Sequence, residues 1–190
     1  PKPQEDEIIF GCGCFWGAEK CFWKLPGVVT TSVGYAGGNK SYPTYYEVCS
    51  GLTGHSEVVR VIWDKREIDI SDLLKMFWEC HNPTQKNRQG NDIGSQYRST
   101  IYYTNENKKD LIIASKKAYQ NELNKKDIGL IQTEIKMIDT YYFAEEYHQQ
   151  YLAIDGSRQY CSAAPTKVKL GNFDGSNYKL KNENKYGESE

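Results

Sequence analysis

Cys14 has the surroundings of a reactive thiol. It lies in Gly11-Cys12-Gly13-Cys14-Phe15-Trp16-Gly17, between a strand-like Glu7-Ile8-Ile9-Phe10 and a helix-like run from Gly17 to Leu25 that stops before Pro26-Gly27. A thiol at a helix N-terminus meets unpaired backbone N–H groups and partial positive charge, which favour the thiolate. Thiols so placed fall from about 8.5 to roughly 3.5–7.5. The alternative for Cys14 is a small buried hydrophobe, the common fate of a cysteine. The flanking glycines argue for reactivity, because they let another molecule approach the backbone closely. Phe15 and Trp16 are too apolar for an ordinary exposed loop. They either anchor it in the core or line a pocket for an apolar ligand group.

An attacking thiolate needs help with the leaving atom. Glu57 follows Gly54-His55-Ser56 at the start of a strand-like segment. A carboxyl group desolvated in a pocket stays protonated and serves as a general acid; its bland alternative is a solvated strand-end glutamate. Tyr45 and Tyr97 stand at loop–strand junctions and could hydrogen-bond a developing oxyanion, or simply pack like most of the 15 tyrosines. Asp92, in Gly90-Asn91-Asp92, could hold a turn or touch a site.

The elements that must position these residues follow from periodicity. Val28 to Tyr35 reads as a strand, Gly37 to Gly54 as a long loop, and Ser56 to Trp63 as a strand with Glu57, Val59, Val61 and Trp63 on one face. Ser71 is a candidate N-cap for a helix to His81, with Leu73, Phe77 and Cys80 on one side. A polar loop from Arg88 to Gln96 precedes a strand, Tyr97 to Tyr103, and a helix, Lys108 to Leu123. A strand from Thr133 to Ile138 and a short helix from Phe143 to Leu152 complete the order. This order predicts an α+β two-layer sandwich with helices on one mainly antiparallel sheet. Its core is of the ferredoxin-like βαββαβ type, with an extra strand and helix. The chain reads as one domain over 1–190, with an extended, flexible, solvated tail over 171–190.

Composition narrows the function classes. The 190 residues carry 24 Lys plus Arg against 25 Asp plus Glu, a net charge of -1, which argues against a basic nucleic-acid binder. No apolar run approaches the roughly 20 residues of a membrane span, and 13% aromatic content argues against disorder. Six cysteines would suggest three bridges in a small secreted chain. A polar, acidic Pro1 to Glu7 without a signal peptide, and a length that needs no staples, favour a reducing, cytoplasmic setting and a monomer.

Several short blocks occur together in the order of a known family. They are Gly13-Cys14-Phe15-Trp16-Gly17, Gly34-Tyr35-Ala36-Gly37-Gly38, Pro43-Thr44-Tyr45, Val48-Cys49-Ser50-Gly51, and Thr53-Gly54-His55-Ser56-Glu57. Further on come Arg88-Gln89-Gly90-Asn91-Asp92, Gln96-Tyr97-Arg98-Ser99 and Tyr147-His148-Gln149-Gln150-Tyr151-Leu152. Over about residues 8–161 the chain closely resembles the peptide-methionine sulfoxide reductase A family. The resemblance implies an α+β fold related to the ferredoxin-like type. It implies that Cys14 is the nucleophile toward the sulfur of methionine sulfoxide, S at sulfur, free or in oxidised proteins and peptides. It further implies that Glu57 protonates the oxygen, that Tyr45 and Tyr97 hydrogen-bond it, that Phe15 and Trp16 wall the substrate methyl, and that Asp92 lies in the site. Cys161 matches the resolving cysteine, which would close a disulfide on Cys14 after a sulfenic acid forms. An external dithiol such as thioredoxin would then reopen it; no bound cofactor or metal is implied.

The chain departs from many relatives after Cys161, where Ser162-Ala163-Ala164-Pro165 replaces a Gly-rich tail and no later cysteine follows. Cys12 is a candidate alternative resolver, but a bridge across one residue would be strained, and it reads better as a bystander. Cys21 and Cys80 read as helix-core thiols, and Cys49 as structural. Two other readings are weaker. A cysteine hydrolase would pair Cys14 with His55 or His148, but Phe15-Trp16 offers no oxyanion hole. A metal module would need zinc spacings that Cys12/Cys14 and Cys80-His81 do not provide.

Overall fold

The computed structural model describes residues 1–180. Twelve elements follow in order: β1 (Glu5–Gly11), α1 (Phe15–Trp23), β2 (Val28–Ala36), α2 (Tyr45–Cys49), β3 (Ser56–Asp64) and α3 (Ile70–Cys80); then β4 (Arg88–Gln89), β5 (Asp92–Ile93), β6 (Thr100–Tyr103), α4 (Lys109–Asn124), β7 (Glu134–Met137) and β8 (Tyr142–Phe143). Six strands form one mixed sheet in the order β7-β6-β1-β3-β2-β8. All neighbours are antiparallel except β6 and β7.

Strict alternation sorts each strand between two faces. Ile8 and Phe10 of β1, Val59, Val61 and Trp63 of β3, and Ile101 of β6 join one core with α1, α3 and α4. Ile9, Val58 and Tyr102 point the other way, beneath Ile138 and Tyr141. Phe10 lies between Phe22 of α1 and Phe77 of α3, with ring centroids 4.8 and 4.9 Å away. Burying each such ring contributes roughly 1.5–3 kcal/mol. Among the described residues no helix is long and apolar enough to cross a membrane.

The structure departs from the sequence expectations at several places, each with a local cause. Helix α3 starts one residue before Ser71, because Asp69 is the N-cap: it accepts from Ser71 N, and Asp72 Oδ2 reciprocally accepts from Asp69 N at 3.0 Å. The long loop 37–54 contains α2, started by a second capping box between Thr44 and Glu47. The polar 88–96 loop is the β4–β5 hairpin, turned at Gly90 with φ +58°. Strand β6 starts three residues after Tyr97, which sits in a 3-10 turn over 95–97.

The expected helix over 143–152 is absent. Phe143 instead pairs with Gly34 in β8, two 3-10 turns follow, and Gln150 adopts φ +48°. The Gln149 side chain competes with a helical ladder: its amide accepts from Val33 N at 2.8 Å and donates to Val33 O at 2.9 Å, extending the sheet edge. The first part of the expected solvated tail is also packed. Leu170 and Leu180 are buried, and Asp72 accepts from the backbone N–H groups of Lys179 and Leu180. The buried Asp72 carboxylate thus holds this strand-like segment across α3. Residues 181–190 of that tail lie outside the described residues.

Candidate active site

Strand β1 delivers the chain to Gly13, whose φ of +89° turns it into α1. A Cβ at Gly13 would stand 2.7 Å from the Gln89 side chain, so glycine is required there on two counts. Cys14 is the N-cap residue of α1, with no side-chain cap bond. The N–H groups of Trp16 and Gly17 face its sulfur and favour the thiolate without closing a capping bond.

Glu57 occupies the first core-facing position of β3, on the row of Val59 and Val61, and is 1% exposed. Its Oε1 accepts the Phe15 N–H at 3.1 Å, so the carboxyl group also sits at the α1 N-terminus. Its Oε2 is buried with no hydrogen-bond partner in the described structure. Burial pushes Glu57 up to about 8, the Phe15 N–H opposes this, and the Asp92 charge adds to it. At neutral pH the group therefore holds its proton.

The thiol behaves against the sequence expectation. Burial and the nearby Glu57 charge push Cys14 above its ordinary value, and the two N–H groups only partly offset this. Desolvation thus outweighs the helix terminus. The resting pair is a neutral thiol beside a neutral carboxylic acid.

The tyrosines converge on the same carboxyl group. Burial keeps the hydroxyls of Tyr45, first residue of α2, and of Tyr97 protonated, and each also feels the Glu57 charge. Tyr45 also donates toward the Cys49 sulfur. Phe15 is fully buried, packed with Tyr35, Val33 and Val48. Trp16 is half-exposed, stacks on Tyr151 at 3.9 Å, and donates from Nε1 to His148 Nδ1 at 3.0 Å. Phe15 and Trp16, the residues expected to form the aromatic wall, pack in one cluster with Tyr45, Phe15 buried and Trp16 partly exposed.

Several residues around the site were not singled out by sequence reasoning. Glu145 accepts from the Tyr35 hydroxyl and from the Tyr45 backbone N–H, fixing α2 against β2. Tyr160 donates to Asp92 Oδ1 at 2.8 Å, so Asp92 tethers the segment carrying Cys161 while its charge bears on Glu57. Tyr160 carried the sequence sign of adjacency to Cys161, whereas Glu145 lies outside the ordered blocks and carried none.

The glycines around Cys14 receive the chain's own C-terminal segment. A Cβ at Gly17 would stand 2.5 Å from Cys161 Sγ, and one at Gly90 2.1 Å from Ser162 O. Gln89 Oε1 accepts from Ala164 N at 2.9 Å. Cys161 therefore rests on the first turn of α1, next to the nucleophile's helix end. All six cysteines are free thiols in this structure.

The competing chemistries fare less well. His55 accepts from Gly38 N through Nδ1 and faces Lys40 O through Nε2, so both nitrogens are committed to the loop. His148 already accepts from Trp16. Neither is a base for Cys14. The side chains of Cys12, Cys80 and His81 gather their ligand atoms within 4.8 Å. However, His81 Nδ1 lies 2.7 Å from the Phe77 carbonyl, which demands a donor there, and Nε2 faces Ser99 Oγ at 2.7 Å. Neither nitrogen offers a free lone pair to an ion at this site.

The family model described as peptide methionine sulfoxide reductase matches residues 6–181. A peptide methionine sulfoxide reductase MsrA of Pseudomonas putida (strain GB-1) is 57% identical over 165 residues, covering 87% of this chain and 74% of that protein. Among solved structures, methionine sulfoxide reductase A of Corynebacterium diphtheriae is similar with a TM-score of 0.78 and 41% identity, covering 90% of this chain and 85% of that one. Reduced Mxr1 of Saccharomyces cerevisiae matches with a TM-score of 0.78 and 32% identity, covering 90% and 95%. A thiol at a helix N-terminus, a protonated glutamic acid beneath it and a second thiol on the same turn thus sit within a match that spans nearly the whole sequence, and the chain belongs to the peptide methionine sulfoxide reductase family.

Proposed function

We propose that this thiol-dependent reductase uses Cys14 and Glu57 as one proton-coupled unit on methionine S-sulfoxide, free or within oxidised proteins and peptides. The observation that carries this reading is the buried Glu57, protonated at neutral pH, with one oxygen on Phe15 N–H and the other unpartnered at the helix end that bears Cys14. Glu57 gives its proton to the sulfoxide oxygen while the Cys14 sulfur attacks the sulfoxide sulfur. The resulting carboxylate takes the thiol proton. Methionine leaves and Cys14 retains the oxygen as a sulfenic acid. Tyr45 and Tyr97 donate to the oxygen as charge develops, with Trp16 beside the methyl group and Asp92 holding the neighbouring segment. Cys161 then displaces water from the sulfenic acid, and a Cys14–Cys161 disulfide forms.

A low-potential dithiol such as thioredoxin is the proposed reductant; no bound cofactor enters the cycle. Mxr1 has also been determined in complex with Trx2. Because both thiols must be regenerated each cycle, a reducing, cytoplasmic setting suits the chemistry. The antiparallel order β6-β1-β3-β2 supports reading the central strands as a ferredoxin-like core. The direct test uses the separated S and R sulfoxides of N-acetylmethionine with a dithiol. The S form is expected to yield methionine and the R form none; no turnover of either would reject the reading.

The Gly17 contact has its own expected effect. Gly17→Ala should leave the helix intact, since alanine is favoured there by about 1 kcal/mol. The added carbon must displace Cys161. Disulfide closure, followed by quenched mass spectrometry after one turnover, should slow several-fold while the first methionine forms at the normal rate.

A further inference from the structure

The catalytic cycle leaves four thiols unused, and the fold collects three of them beside the resolving one. Cys12 follows the last residue of β1, Cys21 lies on α1 and Cys80 ends α3. The sulfurs of Cys12 and Cys80 lie within 4.8 Å of each other. The Cys80 side chain lies close enough to interact with those of both Cys12 and Cys21. Gly17 and Cys21 are four residues apart on α1 and share one face, their side-chain positions roughly 5–6 Å apart. The Cys161 sulfur rests on Gly17. It is therefore about one helical turn from Cys21, which in turn touches Cys80.

We propose that Cys21 and Cys80 form a second redox-active dithiol that receives the disulfide from Cys14–Cys161. This rests on the catalytic reading above. The Cys21 thiolate attacks the Cys161 sulfur. A Cys21–Cys161 bond forms, the Cys14–Cys161 bond breaks, and Cys14 leaves as a thiolate that takes up the proton lost by Cys21. The Cys80 sulfur then attacks Cys21, and Cys161 departs as a thiol with the proton of Cys80. One disulfide is reduced and one dithiol is oxidised, so no outside reductant enters the exchange. Contact with Cys80 and then burial hold the Cys21 thiol well above its ordinary value, and burial raises Cys161, while Lys20 draws both back toward the thiolate. The second pair thus acts as a reserve, which frees the catalytic pair for another substrate before the external dithiol arrives.

The test counts methionine formed per chain. The full chain is reduced, stripped of reductant without oxygen, and given excess methionine S-sulfoxide. The wild type is expected to form two methionines per chain, Cys21→Ser and Cys80→Ser one each, and Cys12→Ser two. Mass mapping of the spent wild type should find Cys21–Cys80 together with Cys14–Cys161. One methionine per wild-type chain would overturn the reserve and leave the catalytic reading standing. None would instead reject the catalytic reading. Two from wild type and from Cys21→Ser, but one from Cys12→Ser, would also overturn the assignment. The single methionine expected from the serine variants itself reports that they are folded.

Discussion

Glu57→Gln is expected to slow methionine formation by roughly 10²–10⁴-fold at neutral pH, the range for loss of a positioned general acid. Glutamine retains the shape and can still accept the Phe15 N–H, but its amide cannot deliver a proton and then recover one from the thiol. Substrate affinity should change little, so the loss should fall on the chemical step. The pH dependence distinguishes this from a packing defect. Burial holds the Glu57 proton up to about 8, so the wild-type single-turnover rate should fall as pH rises through that value. The variant should lack this limb. A wild-type rate that climbs through pH 8 would mean that Cys14 must ionise before attack. An unchanged rate in Glu57→Gln would remove Glu57 from the mechanism.

The same substitution should alter stability in the opposite direction. In the unfolded chain Glu57 titrates near its ordinary value of 4.5, and in the folded chain near 8. Between those values the folded state binds the extra proton, so Glu57 makes stability decline as pH rises through this window and level off above it. Glu57→Gln removes that penalty, which is about 5 kcal/mol above pH 8. Wild type and variant should converge toward pH 4.5. Urea unfolding at pH 5 and pH 8.5 measures this; equal differences at both pH values would contradict the buried, protonated acid. A variant that is slower yet more stable has the pattern of a group buried for function.

Cys161→Ser is the second large effect. Steady-state turnover with a thioredoxin-type reductant should fall by at least about 100-fold, because a sulfenic acid without its resolving thiol presents no disulfide to exchange. The first methionine should still form at the wild-type rate, since Cys161 takes no part in attack. Dimedone should then label Cys14, whereas in wild type the label should be scarce. A Cys161→Ser chain that turns over normally with the protein reductant would transfer the resolving role to another thiol. Cys12 is the neighbour to inspect by mass mapping.

Much of the architecture was legible along the chain. Alternation over Ser56 to Trp63 placed Glu57 on the core-facing row, and Pro26-Gly27 ended α1. Such signals are local and were read correctly wherever one local preference acted alone. They failed where a side chain competed with the backbone. Gln149 bonds both polar groups of Val33, 116 residues away, and so replaces an expected helix by a strand edge. Asp69 displaced Ser71 as the cap because Asp72 completes a reciprocal pair.

The site divides in the same way. The residue types, the order of the blocks and hence the family and its thiol chemistry were carried by the sequence itself. The ionisation state was not. A helix N-terminus read locally lowers a thiol, yet Cys14 is pushed up, because desolvation depends on everything packed around it. The seating of Cys161 on Gly17, the tether from Tyr160 to Asp92 and the meeting of Cys21 with Cys80 likewise required the folded chain. Each joins residues distant in sequence, and both burial and proximity are properties of the packed whole.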